Sequence, residues 1–126
     1  MLAKHVHHIS FAVSNLERSR AFYEGILGLE PIERPDFGLP GIWYAAGQSE
    51  VHLIQAPEGV DTGHPPGKLS PIANHQAFAV EDYAGTLEVL RGHGLEVLET
   101  SPDMGQMWIA DPDGYVIELI APRARV

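Results

Sequence analysis

The stretch His8–Val13 (HISFAV) decides the fold, because it returns in diverged form as His75–Val80 (HQAFAV). A second stretch, Val51–Ile54 (VHLI), returns in the same way as Ile117–Ile120 (IELI). The spacing between the two stretches differs by only one residue from one copy to the other. The sequence therefore contains a duplicated module, and each copy begins and ends with a side chain that can bind a divalent cation.

Each module is predicted to fold as a strand, a helix and three further strands. The first strand alternates: its odd-numbered residues are large and apolar, and its even-numbered residues are His8, Ser10 and Ala12. The first helix is expected to start at a capping box in Ser14–Glu17 and to end at Gly28. The second is expected to start near Asp82 and to end within residues 92–94. The remaining strands are predicted at 30–34, 41–46, 50–55, 95–100, 106–110 and 115–120.

The modules are expected to lie in one α+β domain spanning residues 1–126, with module one at about 4–57 and module two at about 74–122. The linker, residues 58–73, is rich in proline and glycine and contains no predicted element. Such a long irregular connection is often a functional rim or lid.

Composition excludes several classes of partner. The 126-residue chain has a net charge of −9 and a pI of about 5.1. This charge argues against a nucleic-acid binder and against docking on an anionic membrane, and it favours a small-molecule substrate. The chain has no cysteine, no apolar run of roughly 20 residues and no signal-peptide pattern, so a cytoplasmic location is expected.

The repeat predicts a metal site made of His8, His52, His75 and Glu118. A lone strand histidine is more often a core residue than a ligand, but the repeat places all four at equivalent positions. Three imidazoles and one carboxylate suit a single divalent first-row transition metal: Fe, Ni, Co, Zn or Mn. Small residues beside the first-strand histidines leave room for a cation and a substrate.

Other polar and aromatic residues receive weaker predictions. Four are candidates for the substrate pocket: Ser10, Trp43, Tyr44 and Trp108. The remaining histidines are expected not to be ligands: His5, His7, His64 and His93. Of these, His64 falls in the linker and His93 at a helix end, where a cation is favourable.

Several of these pieces together resemble one family. They are His8–Ser19, Phe22-Tyr23, Gly28-Leu29, Asn74-His75 and Asp111–Leu119. The set resembles the vicinal oxygen chelate superfamily, which includes glyoxalase I, extradiol dioxygenases, methylmalonyl-CoA epimerase, and fosfomycin and bleomycin resistance proteins.

The resemblance implies tandem βαβββ modules that form curved mixed sheets around a metal cleft. It places the family's ligand positions on His8, His52, His75 and Glu118. It also implies a homodimer, in which many members complete the site across the dimer.

Departures from glyoxalase I weaken the case for glutathione as the cosubstrate. Glyoxalase I commonly has Arg where this chain has Ala12, and Glu where it has His52. It also commonly has Asn on the second ligand strand, where Gln55 and Ala56 stand here.

Three functions are therefore considered. The first is a metal-dependent lyase or isomerase of the glyoxalase I-like type, acting on a small substrate that chelates the metal through vicinal oxygens, with Glu118 as catalytic base. The second is an Fe(II) extradiol-type dioxygenase that uses His8, His75 and Glu118. The third is a non-enzymatic drug- or metabolite-binding resistance protein.

Overall fold

The computed structural model describes residues 2–123. The chain divides into two compact units, Met1–Gly63 and His64–Val126, and the boundary falls inside the stretch predicted to be the linker. The predicted domain also included residue 1 and residues 124–126, which lie outside the described part. No helix within residues 2–123 has the length and apolar character needed to cross a membrane.

The first unit contains one helix and a four-stranded mixed sheet. Its elements are β1 (His8–Val13), α1 (Leu16–Tyr23), β2 (Glu30–Ile32), β3 (Gly41–Ala46) and β4 (Ser49–Gln55). The strand order is β1-β4-β3-β2, in which β1 runs parallel to β4 and the other pairs are antiparallel.

The second unit repeats this arrangement. Its elements are β5 (His75–Ala79), α2 (Tyr83–Gly92), β6 (Leu98–Glu99), β7 (Gln106–Ala110) and β8 (Val116–Ile120). The order β5-β8-β7-β6 again pairs the first and last strands in parallel. The predicted α+β class and the tandem βαβββ modules are confirmed, and both sheets are open.

The alternation seen in the sequence decides which face of each sheet is buried. On β1, Phe11 and Val13 are buried, whereas His8 and Ser10 are exposed. The apolar residues of β4, β7 and β8 that are almost fully buried are Val51, Leu53, Met107, Ile109, Val116, Ile117 and Leu119, so β8 is buried on both faces. Burial of such side chains contributes about 1.5–3 kcal/mol each, so these strands hold the ligand-bearing faces in place.

The first helix begins one residue later than the capping box predicted. Asn15 is the N-cap, and its side chain accepts a hydrogen bond from the Arg18 backbone N–H at 3.0 Å. Gln55, at the end of β4, accepts from the Leu16 N–H at 2.9 Å and donates to the Ser14 carbonyl at 2.7 Å. Both amide atoms of Gln55 therefore tie the start of α1 to the sheet.

A buried hydrogen-bond network joins α1 to its sheet. The Tyr44 hydroxyl donates to Glu24 at 2.7 Å, and Arg20 donates to the same carboxylate at 2.7 Å. The hydrogen bond from Arg20 holds the pKa of Glu24 below its usual value. Burial raises the pKa of Tyr44, and the neighbouring carboxylate raises it further.

The second unit has a comparable network. Tyr83, at the start of α2, donates to Glu99 on β6 at 2.7 Å, and Arg91 donates to the other oxygen at 2.6 Å. Burial, followed by the hydrogen bond to Glu99, raises the pKa of Tyr83 to about 12. The helix of each unit is thus fastened to its sheet by a tyrosine, a glutamate and an arginine.

A tight turn at residues 111–115 leads the chain into β8. The buried Asp111 carboxylate accepts from the N–H groups of Asp113 at 3.0 Å and Tyr115 at 2.9 Å. Gly114 takes a positive φ of 93°, which side chains with a Cβ rarely adopt. The turn fixes the register with which β8 presents Glu118 beside β5 and β7.

Asp111→Ala is expected to lower the free energy of unfolding by about 1–3 kcal/mol, because two backbone N–H groups lose their acceptor. Urea unfolding monitored by circular dichroism measures this change. Asp103→Ala, at an exposed position, is the matched control and is expected to change stability by less than about 0.5 kcal/mol. Equal stability of the two variants would contradict the role given to the Asp111 side chain.

Candidate functional site

On the face of the first sheet that carries His8, one side chain from each of the four strands lies in a row across the sheet. Register pairs Ser10 with His52, His52 with Trp43, and Trp43 with Ile32. Residues directly opposite one another in neighbouring strands point to the same face. The row therefore brings two sequence-predicted pocket residues, Ser10 and Trp43, to either side of a predicted ligand.

His52 is held between two aromatic rings. The His8 ring stacks on it at 4.1 Å between centroids with 15° between planes, and Trp43 stacks on it at 4.1 Å with 6°. Only 9% of the His52 surface is exposed to solvent. The structure thus brings the rings of two predicted ligands, His8 and His52, into contact and fixes the plane of the His52 ring.

Glu50 joins these histidines, although the sequence reasoning missed it. It lies two residues before His52 on the same face of β4, and its carboxylate is 2.8 Å from the Nε2 atom of His52. This hydrogen bond lowers the pKa of Glu50. Strand alternation places Glu50 and His52 on the same face of β4, and this was the signal that could have identified Glu50. His7 contacts His8 through ring nitrogens 3.0 Å apart.

The second sheet carries the equivalent row. Register pairs Ala77 with Glu118, Glu118 with Trp108, and Trp108 with Leu98. Trp108 thus occupies the position in module two that Trp43 occupies in module one. Each unit places a tryptophan beside the predicted ligand on its last strand.

Glu118 is buried, with 7% of its surface exposed, and accepts hydrogen bonds at both oxygens. The Trp108 indole donates to Oε1 at 3.1 Å, and the Gln106 amide donates to Oε2 at 3.3 Å. Burial of a carboxylate without such partners would lower the stability of the fold by several kcal/mol, because the charge loses its hydration. The two donors hold Glu118 in one orientation, and Gln106 is a second residue that sequence reasoning missed.

His75 faces this carboxylate with a defined nitrogen. Its Nδ1 atom lies 2.7 Å from the Ala73 carbonyl, which requires a proton on Nδ1, and its Nε2 atom lies 2.9 Å from Oε1 of Glu118. A neutral ring with the proton on Nδ1 presents a lone pair at Nε2. Two lone-pair atoms at this separation need a proton or a cation between them. Metal-ligating histidines commonly have one ring N–H oriented by a backbone carbonyl in this way, which leaves the other nitrogen for the metal.

The donor chemistry of both pairs fits a divalent first-row metal. The pairs are His8 with His52 in the first unit and His75 with Glu118 in the second. Within residues 2–123, no group of three or more His, Cys, Asp and Glu side chains is arranged to hold a metal ion. Each unit therefore contributes two of the four predicted ligands.

Tyr44 differs from its prediction as a pocket residue. Its side chain is fully buried, and its hydroxyl is bound to Glu24. Successive residues of a strand point to opposite faces, so Trp43 and Tyr44 cannot both face the exposed row. His64 and His93 lie where they were expected: His64 is exposed in an irregular segment, and His93 caps α2.

The loop between β2 and β3 adds two residues to the row. The Phe37 ring lies 5.9 Å from the Trp43 ring, and the Arg34 guanidinium carbon lies 5.2 Å from the centre of Phe37. Together with His52 and His8 these residues form a continuous stack, here called the aromatic ladder (Arg34, Phe37, Trp43, His52 and His8). No repeat covers this loop, so the sequence offered no signal for it.

Comparison with known proteins agrees with this architecture. The sequence model of the Glyoxalase/Bleomycin resistance protein/Dioxygenase superfamily matches residues 5–119. The chain belongs to this superfamily. The family match includes all four predicted ligands, and the superfamily resemblance inferred from the repeat is confirmed.

Three relatives illustrate the similarity. The lactoylglutathione lyase of Haemophilus influenzae is 31% identical over 90% of this chain and 89% of its own length. "Glyoxylase I 4" of Arabidopsis thaliana is 29% identical over 90% of this chain and 68% of its own. A solved structure of a glyoxalase family protein from Bacillus anthracis is 26% identical, covers 98% of both chains and has a TM-score of 0.75.

Proposed function

We propose that this superfamily member is a divalent-metal-dependent enzyme of the glyoxalase I-like type, a lyase or isomerase of a small substrate with vicinal oxygens. One observation carries the proposal: the oriented Nε2 atom of His75 faces Glu118, whose two oxygens also accept from Trp108 and Gln106. The lactoylglutathione lyases among the relatives support the same reaction class.

The proposed ligands are His8, His52, His75 and Glu118, two from each module. A bound divalent cation would supply a Lewis acid that polarises a substrate carbonyl and increases the acidity of the neighbouring C–H bond. Sedimentation of the purified protein tests the predicted homodimer. The homodimer and the cytoplasmic location both stay predictions.

Glu118 is proposed to move the proton. An isomerisation of a 2-hydroxy-carbonyl type requires a base that removes a proton from one carbon and returns it to the next. The N–H groups of Trp108 and Gln106 hold the carboxylate in one orientation. Small neighbours such as Ala77 and Ser10 leave space for substrate over the rows.

A metal-reconstitution assay tests this proposal. Protein purified without tag or chelator is analysed for metals, stripped, and reloaded separately with Fe(II), Ni(II), Co(II), Zn(II) and Mn(II). Each form is assayed with the hemithioacetals of methylglyoxal formed with glutathione and with 2-mercaptoethanol. Turnover is expected with at least one metal, and the metal-free protein is expected to be inactive. Failure of all five forms with both substrates would overturn the proposed lyase or isomerase.

The same samples distinguish the two other functions. Oxygen uptake with catechols by the iron form alone would favour the extradiol-type dioxygenase. The aromatic ladder favours a second candidate, a non-enzymatic binder. Its Phe37 side chain is 59% exposed and offers an aromatic surface to a ligand. Aromatic ligands that bind equally well to loaded and metal-free protein, without turnover, would support that binder.

A further inference from the structure

The arginines of the described chain differ in how their charge is matched. Arg20 pairs with Glu24, and Arg91 pairs with Glu99. Arg34 has no carboxylate partner within residues 2–123, and its Nε atom is buried without a hydrogen-bond partner. A charged donor that loses water without gaining an acceptor is unfavourable for the stability of the fold. The fold therefore contains an arginine whose positive charge is not balanced by a carboxylate of the described residues.

The sheet leaves space for this guanidinium. Gly41, the first residue of β3, shares a face with Trp43 because the two are two residues apart. A Cβ atom added at Gly41 would lie 2.9 Å from both Cζ and Nη2 of Arg34, and 2.6 Å from the Leu53 carbonyl oxygen. The guanidinium therefore lies against the sheet at Gly41, on the face that carries the ladder, and the Leu53 carbonyl oxygen leaves no room for a side chain at this position.

The ladder connects Arg34 to the histidine pair. Trp43 pairs directly with His52, and Gly41 lies two residues further along β3. Strand geometry puts the Cα atoms of Gly41 and His52 on the order of 8 Å apart. A flat substrate lying along the ladder would span this distance with a chain of a few bonds.

We propose that Arg34 is a specificity-determining residue that binds a carboxylate of the substrate, on the same sheet face as His8 and His52. The planar guanidinium rests over the Phe37 ring, which suits a planar acceptor approaching edge-on. The substrate class is a small carboxylic acid with vicinal oxygens several bonds away from the carboxylate. The inference rests on the proposed function only in placing those oxygens at His8 and His52.

Titration calorimetry with 3-(3,4-dihydroxyphenyl)propionate and its neutral amide tests this assignment. The two compounds share the vicinal oxygens and differ in the charge of the distal group. Wild type, Arg34→Gln, Arg34→Lys and the control Arg18→Gln are each titrated in zinc-loaded and metal-free form. Arg18 lies on the exposed surface of α1 and serves as a matched loss of charge.

The acid is expected to bind wild type at least about tenfold more tightly than the amide, and Arg18→Gln is expected to keep that ratio. In Arg34→Gln the ratio falls to about two or less, and Arg34→Lys lies between. Equal behaviour of acid and amide with wild type, including no binding of either, overturns the assignment. A ratio that survives Arg34→Gln also overturns it. A ratio that depends on Arg34 with no dependence on zinc supports Arg34 and contradicts the metal-chelating substrate.

Discussion

His75→Ala is expected to lower metal affinity by more than about 100-fold and to remove turnover. Changing a residue that only orients a metal ligand typically costs 10–100-fold in affinity, so loss of a ligand should exceed this range. Glu118→Gln is expected to lower metal affinity and remove turnover in the same way, because the amide keeps the shape of the side chain but loses its negative charge. The measurement is competition for metal against a chelating dye, with turnover followed in the same samples.

His93→Ala is the matched control, because His93 caps α2 and is not a predicted ligand. It is expected to keep wild-type metal affinity. The 2.9 Å contact between His75 and Glu118 also has a purely structural explanation, a charged hydrogen bond within unit two. If that explanation is correct, both site variants unfold more easily yet bind metal as wild type does, and the proposed metal centre is wrong.

Trp108→Phe has the second largest expected effect, a decrease in metal affinity of about 10–100-fold. The change removes the N–H that donates to Oε1 of Glu118 at 3.1 Å while keeping most of the aromatic surface. Glu118 then has one donor fewer to hold it in place. Dye competition measures the affinity, and urea unfolding separates it from a general loss of stability.

Trp43→Phe is the control that the duplicated fold provides. Trp43 holds the equivalent position, but it stacks on His52 instead of donating a hydrogen bond to it. Its replacement by another aromatic ring is expected to change metal affinity by less than about threefold. Equal losses in the two variants would show that ring size, and not the indole N–H, determines the affinity.

The internal repeat made most of the fold predictable. Alternation along HISFAV and HQAFAV identified the buried face of each sheet, and matching positions linked the last strands of the two modules. Predicted and observed strands agree to within about three residues at their ends, as expected when hydrophobic periodicity is strong. The parallel pairing of the first and last strands of each module puts His8 and His52 on one face of the first sheet and His75 and Glu118 on one face of the second.

Contacts between residues far apart in sequence were not predictable in this way. Gln55 caps α1 from 39 residues away, a distance at which no local pattern shows the contact. Gln106 and Trp108 reach Glu118 from the neighbouring strand β7, so their roles depended on the register between the two strands. The Tyr44 prediction failed because strand alternation was not applied to its neighbour Trp43.

The aromatic ladder also affects the thermodynamics of binding. Because His52 is confined between Trp43 and His8, its ring has already lost rotational freedom when the chain folds. Less conformational entropy therefore remains to be lost there when a ligand arrives, so calorimetry should record a smaller entropic penalty than for a mobile histidine. Replacing Trp43 by Ala would return that freedom to His52, and binding would then become less favourable in entropy even where every ligand atom is still present.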